Sequence, residues 1–172
     1  MGLRPGRCYT KMKRSYTRKS KFKKFSFIKA VPPMKIVRFD MGNPDKKFAY
    51  QLDLISKESL QIRQNSVESA RIVVNRTLHE SLGLNYFFKL RLYPHHVLRE
   101  NKMLTGAGAD RMQTGMAHSF GRPMGLASQV KKGAPIFSIK VDKENIEQAK
   151  TALKKAAPRL SGTFRIEIKE IK

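Results

Sequence analysis

The sequence predicts an α+β fold: two helices packed on a mostly antiparallel sheet as a sandwich, with a basic N-terminal arm and a long loop rich in glycine and methionine. Three observations predict it. Several segments alternate apolar and polar residues with the period of a strand, and two others carry apolar residues at helical spacing, in an order without regular βαβ repetition. At 172 residues and 40% hydrophobic content the chain can bury about 70% of its unfolded surface, enough for one core. The charge is lopsided, with 36 Lys and Arg against 13 Asp and Glu, and the first acidic residue is Asp40.

Residues 1–33 read as an arm and residues 34–172 as a single α+β domain. The first 39 residues carry 13 Lys and Arg and no acid. Arg4 and Arg7 open the series. In CYTKMKRSYTRKSKFKKFSF, the rings of Tyr9, Tyr16, Phe22, Phe25 and Phe27 sit among Lys11, Lys13, Arg14, Arg18, Lys19, Lys21, Lys23 and Lys24. Cations neutralise phosphates while rings stack on bases or sugars, which suits a segment threading through folded RNA. A solvated basic tail has little use for five aromatics, and a mitochondrial presequence is Arg-rich and amphipathic where this segment is Lys-rich. A nuclear-import patch would account for the cations alone.

A net charge of +23 calls for a polyanionic partner, either nucleic acid or an anionic membrane. No apolar run approaches the ~18 residues of a spanning helix. Gly6 stands where a myristoylation signal needs Ser or Thr, and the terminal EIKEIK has no cysteine for prenylation. These exclusions leave nucleic acid and no membrane. Cys8 is the only cysteine, so it forms no internal disulfide and reads as an ordinary thiol.

The domain's elements follow in order. KIVRFD, residues 35–40, alternates Ile36 and Arg38 with Val37 and Phe39; after the turn MGNPDK, residues 48–56 continue in the same style, and both read as strands. From residue 66 to 82 Val67, Ala70, Val73, Val74, Thr77, Leu78 and Leu82 take helical spacing, with Asn65 or Ser66 as N-cap and Gly83 as the stop. His79 on this helix reads as a surface or partly buried side chain. YFFKLRLYP, residues 86–94, is a strand ended by Pro94. Residues 135–142 form another, and Asp142 is placed to cap a helix over 143–157 with Ile146, Ala149, Leu153 and Ala156 inward and Pro158 as terminator. Residues 163–171 alternate Phe164, Ile166 and Ile168 against Arg165, Glu167 and Lys169, a strand with one wet face.

Residues 95–125 show no strand or helical period, and a structureless stretch beyond ~12 to 15 residues inside a compact domain is functional or disordered. Met103 to Gly125 hold five of the eleven glycines and four of the eight methionines. Glycines allow the backbone to approach another surface closely. GAGAD is not a phosphate loop, because GxxxxGK[ST] is absent and no third glycine completes GxGxxG. His95 and His96 are adjacent and face opposite ways on an extended segment, so they make no metal site, and His118 beside Ser119 has no orienting group. No metal, cofactor, small-molecule substrate or catalytic residue is expected. The scattered Arg99, Lys102, Arg111 and Arg122, with the amides of Asn101 and Gln113, suit a probe that orders on RNA.

RLYPHHVLRENKMLTGAGADRMQTGM, the start MGLRPGRCYT and the later FGRPMG together resemble the large-subunit ribosomal protein family called L-sixteen in bacteria and L-ten-e in archaea and eukaryotes, over nearly the whole chain. Ala117 departs from the pattern, which has an arginine after GM, and this puts one RNA contact in question. The resemblance implies an α+β sandwich seated on large-subunit rRNA near the site for incoming aminoacyl-tRNA, among neighbouring ribosomal proteins. It also implies that the loop carrying Arg99, Lys102, Gly106, Gly108, Asp110, Arg111 and Gln113 reaches toward the peptidyl-transferase centre and the tRNA acceptor ends. The arm's Arg4, Arg7, Tyr9, Lys11 and Lys13 match the rRNA-binding start. Such a protein positions tRNA without catalysing and resides in the cytoplasm on the ribosome. The style of the opening, and an end at residue 172 without a C-terminal extension, imply an archaeal-type member. The alternative is a nucleic-acid-binding module free of the ribosome.

Overall fold

A computed structural model describes residues 4–101, 116 and 120–171. The strands are β1 (Asp40–Gly42), β2 (Tyr50–Ser56), β3 (Leu60–Arg63), β4 (Phe87–Leu90), β5 (His96–Glu100), β6 (Arg122–Val130), β7 (Pro135–Val141) and β8 (Phe164–Glu170), and the helices are α1 (Gln64–Leu82) and α2 (Ile146–Ala156). They build two sheets, one ordered β1-β4-β7-β2-β8 and the other β3-β6-β5, with every pairing antiparallel.

The period-two pattern explains the core. Register places Leu52 opposite Ile139, and Leu54 and Leu90 opposite Phe137, so these side chains and Phe88 share one face of the larger sheet. Phe88 and Phe137 meet edge to face at 5.3 Å. Onto that face α1 lays Val67, Ala70, Val74 and Leu78, and α2 lays Ala149, Ala152, Leu153 and Ala156, all fully buried. The small side chains of α2 let the helices pack closely. Leu60, Ile62 and Val130 of the second sheet join the same core.

The structure is the expected α+β arrangement, with differences that have local causes. Residues 35–39 are not a strand: the Lys35 N–H donates to Gln64 Oε1 and Gln64 Nε2 donates to Pro33 O, so a side-chain amide replaces a strand partner. The Asn65 and Ser66 caps are not made, because α1 starts at Gln64 with Arg63 before it and no capping side chain. Gly83 does stop the helix, at φ 59° with its N–H donating to His79 O. Asp142 stands at the N-cap of a 3-10 turn, Lys143–Asn145, that precedes α2, but makes no side-chain cap; its carboxylate holds Lys46 Nζ at 2.9 Å instead. Pro158 lies in the 3-10 turn that follows α2. Residues 95–125 are regular at both ends, where β5 and the first part of β6 pair from Glu100 and Arg122 inward.

Candidate nucleic-acid interface

The three-stranded sheet positions the basic arm. Register pairs Gln61 with Gln129 and His96 with Ala127, which puts the two amides and the imidazole on one face; Leu60, Ile62, Leu126, Val97 and Val130 occupy the other. The arm crosses the polar face. After a 3-10 turn, Gly6–Tyr9, Thr10 O accepts from the Gln61 N–H on the free edge of β3, and Gln61 Nε2 donates to Tyr9 O at 2.8 Å. On the middle strand Gln129 Nε2 donates to Lys13 O at 2.8 Å, and Ser15 Oγ donates to Gln129 Oε1 at 2.6 Å. At the far edge the Tyr16 N–H donates to His96 Nδ1 at 2.8 Å and Tyr16 O accepts from the Val97 N–H. The chain then turns round β5, and Ile28 packs with Val97 and Leu126 on the opposite face, Tyr16 alongside. Both sheet edges that would otherwise present bare backbone are thereby engaged.

His96 is buried, and its pKa is lowered to about 4 by that burial, with the charges of His95 and Arg99 acting in the same direction. It is therefore neutral, and its Nδ1 accepts from the Tyr16 N–H. His95 is exposed, with Nδ1 3.1 Å from Tyr93 O, so the two rings do face opposite ways.

Beside the arm lies a cavity of about 620 Å³ into which Arg4, Arg7, Lys11, Lys13, Arg14 and Arg99 converge. Its one carboxylate among the described residues, Glu100, is already engaged: Arg4 Nε lies 2.7 Å from Oε1 and the Tyr9 hydroxyl donates to Oε2 at 3.4 Å. Burial, followed by the nearby Glu100 charge, raises the Tyr9 pKa, so the phenol stays protonated. Arg63 donates to Arg4 O at 2.7 Å and lies over the Tyr9 ring at 5.5 Å. The Arg99 guanidinium lies 3.8 Å from the Tyr16 ring centre. With Glu100 neutralised by Arg4, the five other cations make a seat for an anion of several charges, and long side chains with charged heads suit phosphates spaced along a strand.

Asn101 and Met116, also on this cavity, bound the segment in which Lys102, Gly106, Gly108, Asp110, Arg111 and Gln113 fall, outside the described residues. Arg122 is exposed at the start of β6, opposite Glu100 in register. Arg18, Lys19, Lys21, Lys23 and Lys24 lie apart from the cavity, exposed on the stretch of arm between Tyr16 and Ile28. Sequence reasoning missed Gln61, Gln129, His96 and Arg63, the residues that hold the arm. Polar side chains on alternate strand positions read as a wet face, and nothing local says that an arm will cover it. The arm's aromatics, expected to serve RNA together, divide into two groups: Tyr9 and Tyr16 are engaged by the protein itself, whereas Phe22, Phe25 and Phe27 are exposed.

Among the described residues no group of three or more His, Cys, Asp and Glu could hold a metal, and no helix is long and apolar enough to cross a membrane. Cys8 is an exposed free thiol. The family model described as Ribosomal protein L16p/L10e matches residues 12–167. "Large ribosomal subunit protein uL16" of Staphylothermus marinus is 46% identical over 174 residues, covering 100% of this chain and 97% of that one. Proteins of the same name are 45% identical in Methanococcus maripaludis, covering 98% of this chain and 95% of the relative, and 41% identical in Archaeoglobus fulgidus, covering 99% and 95%. With a family match across residues 12–167 and archaeal relatives aligned along essentially the whole length, the chain belongs to the Ribosomal protein L16p/L10e family, in its archaeal type.

Proposed function

We propose that this chain is built into the large ribosomal subunit through its arm and the cavity beside it, binds large-subunit rRNA near the aminoacyl-tRNA site, and helps position tRNA with the loop between β5 and β6. Members of the family are structural components of the ribosome, and this one is not an enzyme. Its place in the cytoplasm follows from the particle it joins.

One observation carries the reading: Arg4, Arg7, Lys11, Lys13, Arg14 and Arg99 face a common cavity whose only carboxylate among the described residues is paired. Held close in a free monomer these cations repel one another, and a ribose-phosphate strand relieves the repulsion. Asn101 and Met116 line the same cavity, so a loop leaving there starts from the cation-rich side. Lys102, Gly106, Gly108, Asp110, Arg111 and Gln113 are assigned to tRNA and the peptidyl-transferase centre by family resemblance, and Arg18, Lys19, Lys21, Lys23, Lys24 and Arg122 to rRNA by charge and exposure.

Reconstitution tests this. Large subunits assembled with the Lys102→Ala/Arg111→Ala variant are expected to take up the protein normally and to bind aminoacyl-tRNA about tenfold more weakly, the loss expected for one or two charge-assisted contacts. Undiminished tRNA binding would remove the loop from the proposal. A wild-type chain that never sediments with large subunits, yet binds generic RNA and DNA, would leave only the free nucleic-acid-binding module.

A further inference from the structure

Between Tyr16 and Ile28 the arm makes an excursion that its seat on the sheet does not require. The Phe27 and Ile28 N–H groups both donate to Arg18 O, at 3.1 and 3.3 Å, and close the base of a loop. At its tip the 3-10 turn Lys23–Phe25 is held by Phe25 N–H to Phe22 O at 3.0 Å and Ser26 N–H to Lys23 O at 3.2 Å, and the Phe22 N–H donates to Ser20 Oγ at 3.2 Å. The backbone is thus organised without any outside partner.

The rings on this loop differ from the arm's two tyrosines. Tyr16 is packed into the sheet and Tyr9 is bonded to Glu100, whereas Phe22, Phe25 and Phe27 are 63%, 45% and 54% exposed. They are also ordered among themselves. The Arg18 guanidinium lies over Phe27 at 4.9 Å and over Phe25 at 5.4 Å, and Phe22 meets Phe25 edge-on at 6.5 Å. The array runs outward from the clamped base to Phe22, over which no guanidinium or ammonium lies among the described residues. Around it stand the exposed Lys19, Lys21, Lys23 and Lys24.

From this arrangement we infer that the loop closed by Arg18 is a binding site for an unpaired nucleobase, with Phe22 as the stacking platform and the neighbouring lysines on the flanking phosphates. The inference rests on the RNA-binding reading above and narrows it. An A-form duplex keeps its base faces inside the stack and offers only phosphate and sugar to this loop; a bulge, loop or extruded base offers a π-face. Lysines alone bind both forms alike. An exposed phenyl ring set edge-on against Phe25 among them distinguishes the two. Preorganisation by the Arg18 carbonyl and guanidinium means that little further entropy is lost when the base docks.

The test uses the full-length protein and two RNA hairpins of equal length, one fully paired and one with a single bulged 2-aminopurine. Wild type is expected to prefer the bulged hairpin and to quench its fluorescence. Phe22→Leu keeps an apolar side chain and is expected to lower affinity for the bulge by roughly 5- to 150-fold, the range of one base–aromatic stack, with the paired hairpin unaffected. Phe22→Trp should restore both affinity and quenching. Lys21→Gln/Lys23→Gln should weaken both hairpins equally and reduce the salt slope by about 1 to 2. If Phe22→Leu discriminates between the hairpins as wild type does, the platform is absent although RNA binding stands. The platform is equally absent if Phe22→Leu loses only its hold on a neighbouring protein. If neither hairpin binds at all, the broader reading fails with it.

Discussion

His96 is a base held where burial makes taking up a proton costly. An imidazole in the unfolded chain titrates near 6.5, and burial moves it to about 4 in the fold. Between those values the unfolded state holds a proton that the folded state lacks. The stabilisation is therefore complete above about pH 6.5 and is lost progressively as pH falls to about 4. Its size is at most on the order of 3 kcal/mol. His96→Gln keeps an acceptor for the Tyr16 N–H without a titrating group, and its melting temperature should be flatter than wild type over that interval. Gly42 makes a second residue-scale prediction. At φ 85°, a Cβ there would sit 2.2 Å from Tyr86 O, which is fixed because it also accepts from the Asn43 N–H at 2.9 Å. Gly42→Ala should lower stability by about 2 kcal/mol or more, read from urea midpoints, since neither the torsion nor the carbonyl can yield cheaply.

At the scale of elements, the arm and the three-stranded sheet stabilise each other through two glutamines. Gln61 and Gln129 are bonded to the Tyr9 and Lys13 carbonyls and to each other at 3.2 Å. Gln61→Ala/Gln129→Ala leaves those carbonyls to find water, at a cost of about 1 to 3 kcal/mol each where they are shielded. Trypsin should then cut at Lys11, Lys13 and Arg14 faster than in wild type and well before the core opens, and the remaining domain should keep its far-UV spectrum. The helices were legible because Val67, Ala70, Val74 and Leu78 repeat at the spacing of one helical face, and the long strands because Leu52 and Leu54, or Phe137 and Ile139, alternate. β3 was not legible: Leu60 and Ile62 are too few to establish a period, and the strand has meaning only beside β6, far along the chain. The same limit hid the arm's seat. Cations and rings advertise a ligand locally, whereas Gln129 and His96 gain their role only when pairing brings them under the arm.

Over the whole molecule the acids are not spread evenly. The outer side of the larger sheet mixes signs, with Lys89 3.2 Å from Asp40 and Lys169 3.5 Å from Asp53, and α1 pairs Arg76 with Glu80 at 2.8 Å. Among the described residues the cavity beside the arm sets Glu100 alone against its six cations. A polyanion is steered to that side, where the cations stand against a single, already paired carboxylate among the described residues. Two results follow. Thermal stability of the free protein should rise with added salt as the net +23 is screened, most steeply below the ionic strength at which the Debye length is about 10 Å. In contrast, if about ten arm cations each meet a phosphate, log affinity for rRNA should fall against log salt with a slope of roughly −7 to −9; a slope near zero would detach the arm from RNA.

The path of the arm over β3, β6 and β5 also has a consequence in time. The tail is synthesised first, but Lys13 rests on Gln129, 116 positions downstream, and Tyr16 on His96, 80 positions downstream. Throughout that interval the most cationic part of the newborn polypeptide is loose beside the nucleic acid of the machine making it, and contacts so distant along the chain form late. A nascent fragment that stops short of β6 lacks Gln129 and the strand that joins β3 to β5, so it is expected to bind generic polyanions more tightly than the complete chain, as a filter-binding comparison of the two would measure. Completion of that one strand turns a promiscuous tail into a seated one.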